Sequence, residues 1–266
     1  MEKSIFLFYS NSMNGYFFDM DGTLYNNAFH EVSERTFKML NQLQADGHFV
    51  GLATSRCHSE LMNLPSCMRG FKFNGLICDG GSFIEENGQY QVNAISQEDM
   101  IRIDSFCKEH ELTYRYSTQN GNFFGVNPSQ YAHDIYFRLY LNYPVFKEYC
   151  DDESLNVILF CTGENKEKAK ELFKHLSLVE YPDCLEIRAK GIDKASAIQK
   201  IIDSHSFDRV YCFGDGENDV DMLKLADVSC CMENGCDTLK QVADYVIGRV
   251  DEDGIYNFLN TFKGGK

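Results

Sequence analysis

No apolar run in this sequence approaches the roughly 20 residues that a helix needs to span a bilayer. The stretch Ile5-Phe6-Leu7-Phe8-Tyr9 behind Lys3 is too short for a signal segment, and Ser10-Asn11-Ser12 makes a poor cleavage site. Met13 directly precedes the first motif, so residues 1–12 are expected to be an extension outside the working fold. Basic charge is also scarce: 25 Lys and Arg stand against 40 Asp and Glu, a formal net charge of -15. Such a surface repels nucleic-acid phosphates and anionic lipid, so neither is expected as a partner. There is no C-x-x-C, no H-E-x-x-H and no Cys/His cluster at zinc spacing. The 11 cysteines are odd in number and dispersed, which argues for reduced, mostly buried thiols in a cytoplasmic protein. Internal repeats and low-complexity tracts are missing too.

What is present is enough apolar material, 44% of residues, for a sizeable core without disulfides or structural metals. Tyr16-Phe17-Phe18 reads as a buried strand that stops at Asp19. Phe37, Leu40 and Leu43 recur at helical spacing between Ser33 and Asp46, and Gly47 closes that helix. Phe49 to Ala53 is a second buried strand ending at Thr54, and Leu76 to Cys78 a third. Strand, helix, strand at this spacing predicts a parallel sheet with helical crossovers.

The middle of the chain has a different pattern. Ser82 to Val92 is a hairpin around Asn87-Gly88, and Ser96 caps a helix running to about His110. Strands are predicted at 112–116, 122–126, 155–161, 178–181 and 185–189, with a helix at 164–175. Alternation then returns, with a helix from Lys194 to Ser204, a strand from Arg209 to Phe213, a helix from Asn218 to Ala226 and a strand from Val228 to Met232. One sheet is thus entered, left for roughly 100 residues and re-entered, and an excursion that long should be its own unit. The expected fold is α/β, a Rossmann-like parallel core built from residues 13–81 and 189–266, with an inserted α+β unit at 82–188.

Two acidic clusters stand where strands end, which is where open parallel sheets bind ligands. The first is Asp19-Met20-Asp21-Gly22-Thr23-Leu24. Two carboxylates about 4 Å apart repel by roughly 4 kcal/mol at an effective dielectric of 20, so they need a cation or a shared proton. Both conditions suit phosphoryl transfer, with one carboxylate attacking and the other shuttling a proton. A plain Asp-Gly surface turn is the alternative. An EF-hand is not, because Leu24 stands where that loop requires glycine. The second cluster is Gly214-Asp215-Gly216-Glu217-Asn218-Asp219, whose Asp215 and Asp219 could face one cation. Magnesium, which takes few protein oxygens and keeps waters, fits a set drawn from Asp19, Asp215 and a carbonyl near Asp21. An acidic helix start favoured by the dipole is the competing explanation, while Val220 rules out a calcium loop.

These clusters, the strand closed by Thr54, and Lys194 in Gly191-Ile192-Asp193-Lys194 occur in an order that resembles the haloacid dehalogenase-like superfamily. The large insert is similar to that of Cof-type hydrolases of subfamily IIB with a C2B cap. The resemblance implies that Asp19 attacks phosphorus to give an aspartyl-phosphate, that Asp21 protonates the leaving group, and that Thr54 and Lys194 hold the phosphoryl group. It implies Mg2+ bound by Asp19, Asp21, Asp215 and Asp219, and phosphate or substrate contacts from Gly22, Thr23, Ser55, Arg56, Asn218 and Asn234. Relatives that cleave carbon–halogen bonds lack the second aspartate, and transport ATPases carry Thr there and membrane helices, so Asp21 favours a phosphate-monoester hydrolase. Thr54-Ser55-Arg56 replaces the usual Thr-Gly-Arg, Asp79-Gly80-Gly81 the usual Asn-Gly-Ala, and Met232-Glu233-Asn234-Gly235 the usual Met-Gly-Asn-Ala.

The implied activity is that of a phosphatase acting on a small phosphorylated metabolite, either a sugar phosphate or a phosphorylated cofactor. A phosphomutase and a non-catalytic metal- or phosphate-binding protein are the alternatives. Among Tyr114, Tyr116, Phe123, Phe124, Tyr136, Phe137 and Tyr140, one or two could pack a substrate ring, while most are expected in the cap's own core.

Overall fold

The computed structural model describes residues 12–138 and 140–262. All of the expected N-terminal extension except Ser12 lies outside these residues, as does the stretch 263–266. Strands and helices are numbered along the chain. The larger sheet contains β1 (Gly15–Phe18), β2 (Phe49–Ala53), β3 (Gly75–Cys78), β4 (Phe83–Glu86), β5 (Gln89–Val92), β12 (Val210–Gly214), β13 (Val228–Met232) and β14 (Tyr245–Ile247). Their order is β14-β13-β12-β1-β2-β3-β4-β5, parallel from β14 to β3 and antiparallel from β3 to β5.

Period-two alternation on β1 explains why helices cover both faces. Tyr16 and Phe18 point to one side, against Leu40 and Leu43 of α1 (Glu34–Ala45) and Ile255 of α9 (Gly254–Thr261). Phe17 points to the other, against Ala197, Ile198 and Ile201 of α6 (Lys194–Ser204), Met222 of α7 (Val220–Leu225) and Leu239 of α8 (Asp237–Val242). Each such buried side chain contributes about 1.5–3 kcal/mol, which makes this central strand a rigid base for whatever follows Phe18.

The second sheet is built from β6 (Tyr114–Thr118), β7 (Gly121–Phe124), β8 (Val145–Phe146), β9 (Asn156–Leu159), β10 (Ser177–Glu180) and β11 (Leu185–Arg188), in the order β10-β11-β9-β6-β7-β8. One face packs on α3 (Gln97–Glu109) and α5 (Gly163–Leu172) through Met100, Ile103, Ala169, Val157, Leu159 and Ile187. Tyr114, Tyr116, Phe124 and Tyr136 are buried in this unit, whereas Phe137 and Tyr140 are exposed.

Three expectations need correction. The hairpin of β4 and β5, assigned from sequence to the inserted unit at 82–188, extends the larger sheet by pairing with β3. A hairpin's turn is local chemistry, but its choice of neighbour is a tertiary contact. Helix α4 (Gln130–Arg138) was not expected. Its buried Ala132, Ile135 and Tyr136 have helical spacing, but exposed Tyr131 and Phe137 blur the stripe. The helix expected at Asn218 begins as a 3-10 turn over Glu217–Asp219 and is α-helical only from Val220.

Candidate active site

Asp19 follows β1, and its backbone N–H donates to Phe213 O at the end of the adjacent β12, 2.9 Å away. The first acidic motif therefore lies beside Asp215, which follows Gly214. Lys194 is the first residue of α6 and is positioned by its cap. Asp193 accepts from the Ser196 N–H at 2.6 Å, while its own N–H donates to Ser196 Oγ at 3.0 Å. A cap of this kind is worth about 1 kcal/mol and fixes where the helix starts.

From that position Lys194 Nζ donates to Asp19 Oδ1 at 2.5 Å and to Asp219 Oδ1 at 2.7 Å. The other Asp219 oxygen accepts from the backbone N–H groups of Asp215 (3.1 Å) and Gly216 (3.0 Å). Asp219 thus ties the lysine to the loop that presents Asp215. Glycine is required at 214, because a Cβ there would stand 2.6 Å from the Asp219 Cβ. Gly22 has φ +84°, and a Cβ on it would meet Asp215 Oδ2 at 2.1 Å, so only glycine allows the two loops this close.

Asp19, Asp215 and Asp219 each offer an oxygen within 4.8 Å of the others. Burial raises the pKa of Asp19 well above the usual carboxylate range; Lys194 opposes the shift, and the Asp219 and Asp215 charges add to it. Asp215 is pushed up to about 7 by burial and by Asp219. Burial works against the Lys194 ammonium, but Asp19 and Asp219 outweigh it and hold its pKa above the ordinary lysine value. One cation among three carboxylates leaves excess negative charge in a desolvated site, which a divalent cation would neutralise. The donor set, all hard oxygen, suits Mg2+.

The Asp21 carboxylate stands apart from this cluster, so a share in the metal set would come through its backbone carbonyl. Both of its oxygens are held by the guanidinium of Arg56, at 2.7 Å from Nε and 2.6 Å from Nη2. Arg56 is buried and lies over the Tyr25 ring with 5.0 Å between its Cζ and the centroid. Thr54 Oγ1 accepts from the Arg56 N–H at 3.1 Å. Thr23 donates to Asp215 Oδ1 at 3.4 Å. Asn218 Nδ2 donates to Ser55 Oγ at 3.2 Å, so the departure from Thr-Gly-Arg supplies a hydroxyl that links two loops. Asn234 is occupied within the fold. Its amide donates to Gly22 O at 2.8 Å and its carbonyl accepts from the Val250 N–H at 3.0 Å, which clamps the Asp-Gly turn.

Sequence reasoning missed a buried polar set at the seam between the sheets, made of Glu60, Arg115, Asn156, Glu186 and Arg188. Arg115 Nη1 donates to Asn156 Oδ1 at 3.1 Å and its Nη2 lies 3.7 Å from Glu60 Oε2. The alternation Leu185-Glu186-Ile187-Arg188 reads as a strand with one face in water, so it carries no signal of this burial. Among the described residues, no helix is long and apolar enough to cross a membrane.

The sequence profile of haloacid dehalogenase-like hydrolases matches residues 16–259. The chain is 29% identical over 245 residues to the putative phosphatase YkrA of Bacillus subtilis, covering 90% of this chain and 93% of that one. It is 28% identical over 241 residues to the 5-amino-6-(5-phospho-D-ribitylamino)uracil phosphatase YcsE of the same organism, covering 89% and 90%. Among solved structures it is similar to one showing a conserved trigonal-bipyramidal intermediate in a phosphoryl-transfer superfamily, with TM-score 0.85, 25% identity and coverage of 92% and 97%. The fold is also that of the subclass IIB sugar phosphatase BT4131, with TM-score 0.82, 24% identity and coverage of 93% and 98%. The chain belongs to the haloacid dehalogenase-like hydrolases.

Proposed function

We propose that this protein is a Mg2+-dependent phosphatase that hydrolyses a small phosphate monoester through an aspartyl-phosphate on Asp19. The observation that carries the reading is the contact of Lys194 Nζ with both Asp19 and Asp219, beside Asp215. Residues far apart in sequence thereby converge at the carboxyl ends of β1 and β12, as phosphoryl transfer requires. Asp19 and Asp215 would hold Mg2+, with Asp219 supporting the site through the loop. Bound there, the ion would neutralise phosphoryl oxygens and let an anionic carboxylate approach an anionic ester.

The protein's own side chains supply the rest. An Asp19 oxygen attacks phosphorus, the bond from phosphorus to the leaving oxygen breaks, and Asp21 gives that oxygen a proton. Asp21 then takes a proton from the water that cleaves the acyl-phosphate, which restores Asp19. Lys194 balances charge on Asp19 and the transferring group, and the Thr54 hydroxyl would hydrogen-bond that group. The second sheet with its helices acts as a cap that excludes water and chooses the leaving group. A sugar phosphate or phosphorylated cofactor is the proposed substrate class; the names of relatives specify a phosphoribitylamino-uracil. The unpaired state of all 11 cysteines supports a cytoplasmic setting.

The test is p-nitrophenyl phosphate hydrolysis with Mg2+ and with EDTA, in wild type and Asp19→Asn. Activity should require the metal and fall by at least about a thousandfold in the variant. An inactive wild type, or undiminished turnover in Asp19→Asn, would overturn the reading.

A further inference from the structure

The seam holds a carboxylate that the chemistry at Asp19 does not use. On β11, Leu185 and Ile187 enter the cap core, which turns Glu186 and Arg188 to the opposite face. On an ordinary half-covered antiparallel sheet that face would be wet, yet Glu186 is 0% and Arg188 2% exposed. β6 repeats the pattern, with Tyr114 and Tyr116 in the core and Arg115 and Ser117 on the seam side.

Three groups donate to Glu186: Asn156 Nδ2 at 2.5 Å, the Tyr181 hydroxyl at 3.1 Å and Ser55 Oγ at 3.2 Å. Ser55 belongs to the larger sheet's loop, between Thr54 and Arg56, so this contact joins the cap to the catalytic side. Arg188 Nε lies 3.5 Å from Glu186, and its Nη1 donates to Gly80 O across the seam. Arg188 Nε, Asp79 Oδ2 and Arg56 Nη1 are buried side-chain atoms with no hydrogen-bond partner. All three belong to buried residues that flank the junction between the Asp21 loop and the cap.

We propose that Glu186 is a specificity-determining residue for the leaving group, selecting neutral polyhydroxylated alcohols and rejecting those that carry a second anion. This rests on the phosphatase reading above. Two of its three donors are hydroxyls, so a polyol entering the seam replaces Ser55 or Tyr181 with the same chemistry, and the carboxylate stays satisfied. A second phosphate or carboxylate would instead face Glu186 in a dry setting where like charges repel strongly. Arg188 does not reverse this preference, because its charge is already paired with Glu186. Removal of the Glu186 charge releases Arg188 to receive an anion.

The experiment compares kcat/KM of the Mg2+-supplemented protein for a hexose 6-phosphate and a pentitol 5-phosphate with fructose 1,6-bisphosphate and 3-phosphoglycerate. Wild type should favour the neutral leaving groups at least tenfold, and Glu186→Gln should shrink that ratio at least tenfold. The ratio does not depend on how much of the variant is folded. A wild-type enzyme without the preference, or a variant that keeps it, overturns the proposal. A measurement on wild type alone covers a variant that yields no folded protein. Calorimetric titration should show ribitol binding at least tenfold tighter than ribonate, and equal or reversed affinities would count as failure. That titration needs no turnover, so an inactive enzyme would refute the phosphatase reading and leave this one decided on its own.

Discussion

Lys194 Nζ lies 2.5 Å from Asp19 and 2.7 Å from Asp219, and its side chain is fully buried between them. One cation therefore serves the proposed nucleophile and the residue that holds the metal loop. Lys194→Met should remove both services. Loss of one preorganised charge contact to a transferring group typically lowers turnover about 10²–10³-fold. Two buried carboxylates would also lose their partner, at a cost of about 3–5 kcal/mol. Urea denaturation in EDTA should show that loss, and added Mg2+ should recover part of it. A variant as stable as wild type without metal would show that the ammonium does not balance these charges.

Gly22 supports the metal loop from the opposite side. Gly22→Ala places a methyl on Asp215 Oδ2 and forces an L-residue into φ +84°. Asp215 must move, so the Mg2+ concentration for half-maximal activity should rise about 10–100-fold. Activity at saturating Mg2+ should fall less than this. An unchanged Mg2+ requirement would place Asp215 outside the metal's coordination.

Much of the core was legible because short apolar strands end abruptly at polar residues. β2 and β13 and helix α6 have the bounds expected, since Thr54, Asp193 and the residues after Met232 stop each pattern with local chemistry. The same rule set Asp19 and Asp215 at strand ends, whereas Lys194, which opens a helix, was expected beside them only from the resemblance. The seam was not legible. Glu186 and Arg188 look like water-facing residues in sequence, and only docking of the two sheets buries them. The fork of Arg56 on Asp21 was hidden for a similar reason, because motif order says which loops meet and not which side chains pair across them.

That fork leads to a test that depends on the leaving group. A guanidinium holds both oxygens of a carboxylate in one plane, whereas an ammonium offers a single point of attachment. Arg56→Lys should therefore leave Asp21 with a cationic partner but poorly aimed. Alkyl phosphates, whose leaving oxygen needs a proton, should lose about tenfold or more in kcat/KM. p-Nitrophenyl phosphate, whose leaving group departs as a stable anion, should lose much less. Equal losses on both substrates would mean that Arg56 does not act through Asp21.

Asp79 gives the molecule a pH dependence whose direction can be worked out. It sits at φ +51°, a conformation that Asp and Asn tolerate better than most residues. One oxygen accepts from Ser117 Oγ at 2.6 Å across the seam, and the other has no partner. Burial is the main cause that pushes its pKa from 3.8 up to about 7; Arg115 and Ser117 oppose the shift, while Glu60 and Glu186 add to it. Between these values the folded chain binds a proton that the unfolded chain has released. Stability must then fall as pH rises from about 4 to 7, and the whole cost, up to about 4 kcal/mol, is present above that window. Asn is neutral throughout and suits the same backbone, so Asp79→Asn should match wild type near pH 4 and exceed its Tm by several degrees at pH 8. Scans in EDTA across this range isolate the effect, because Asp19 and Asp215 titrate alike in both proteins. Parallel Tm profiles would show that Asp79 does not carry this proton.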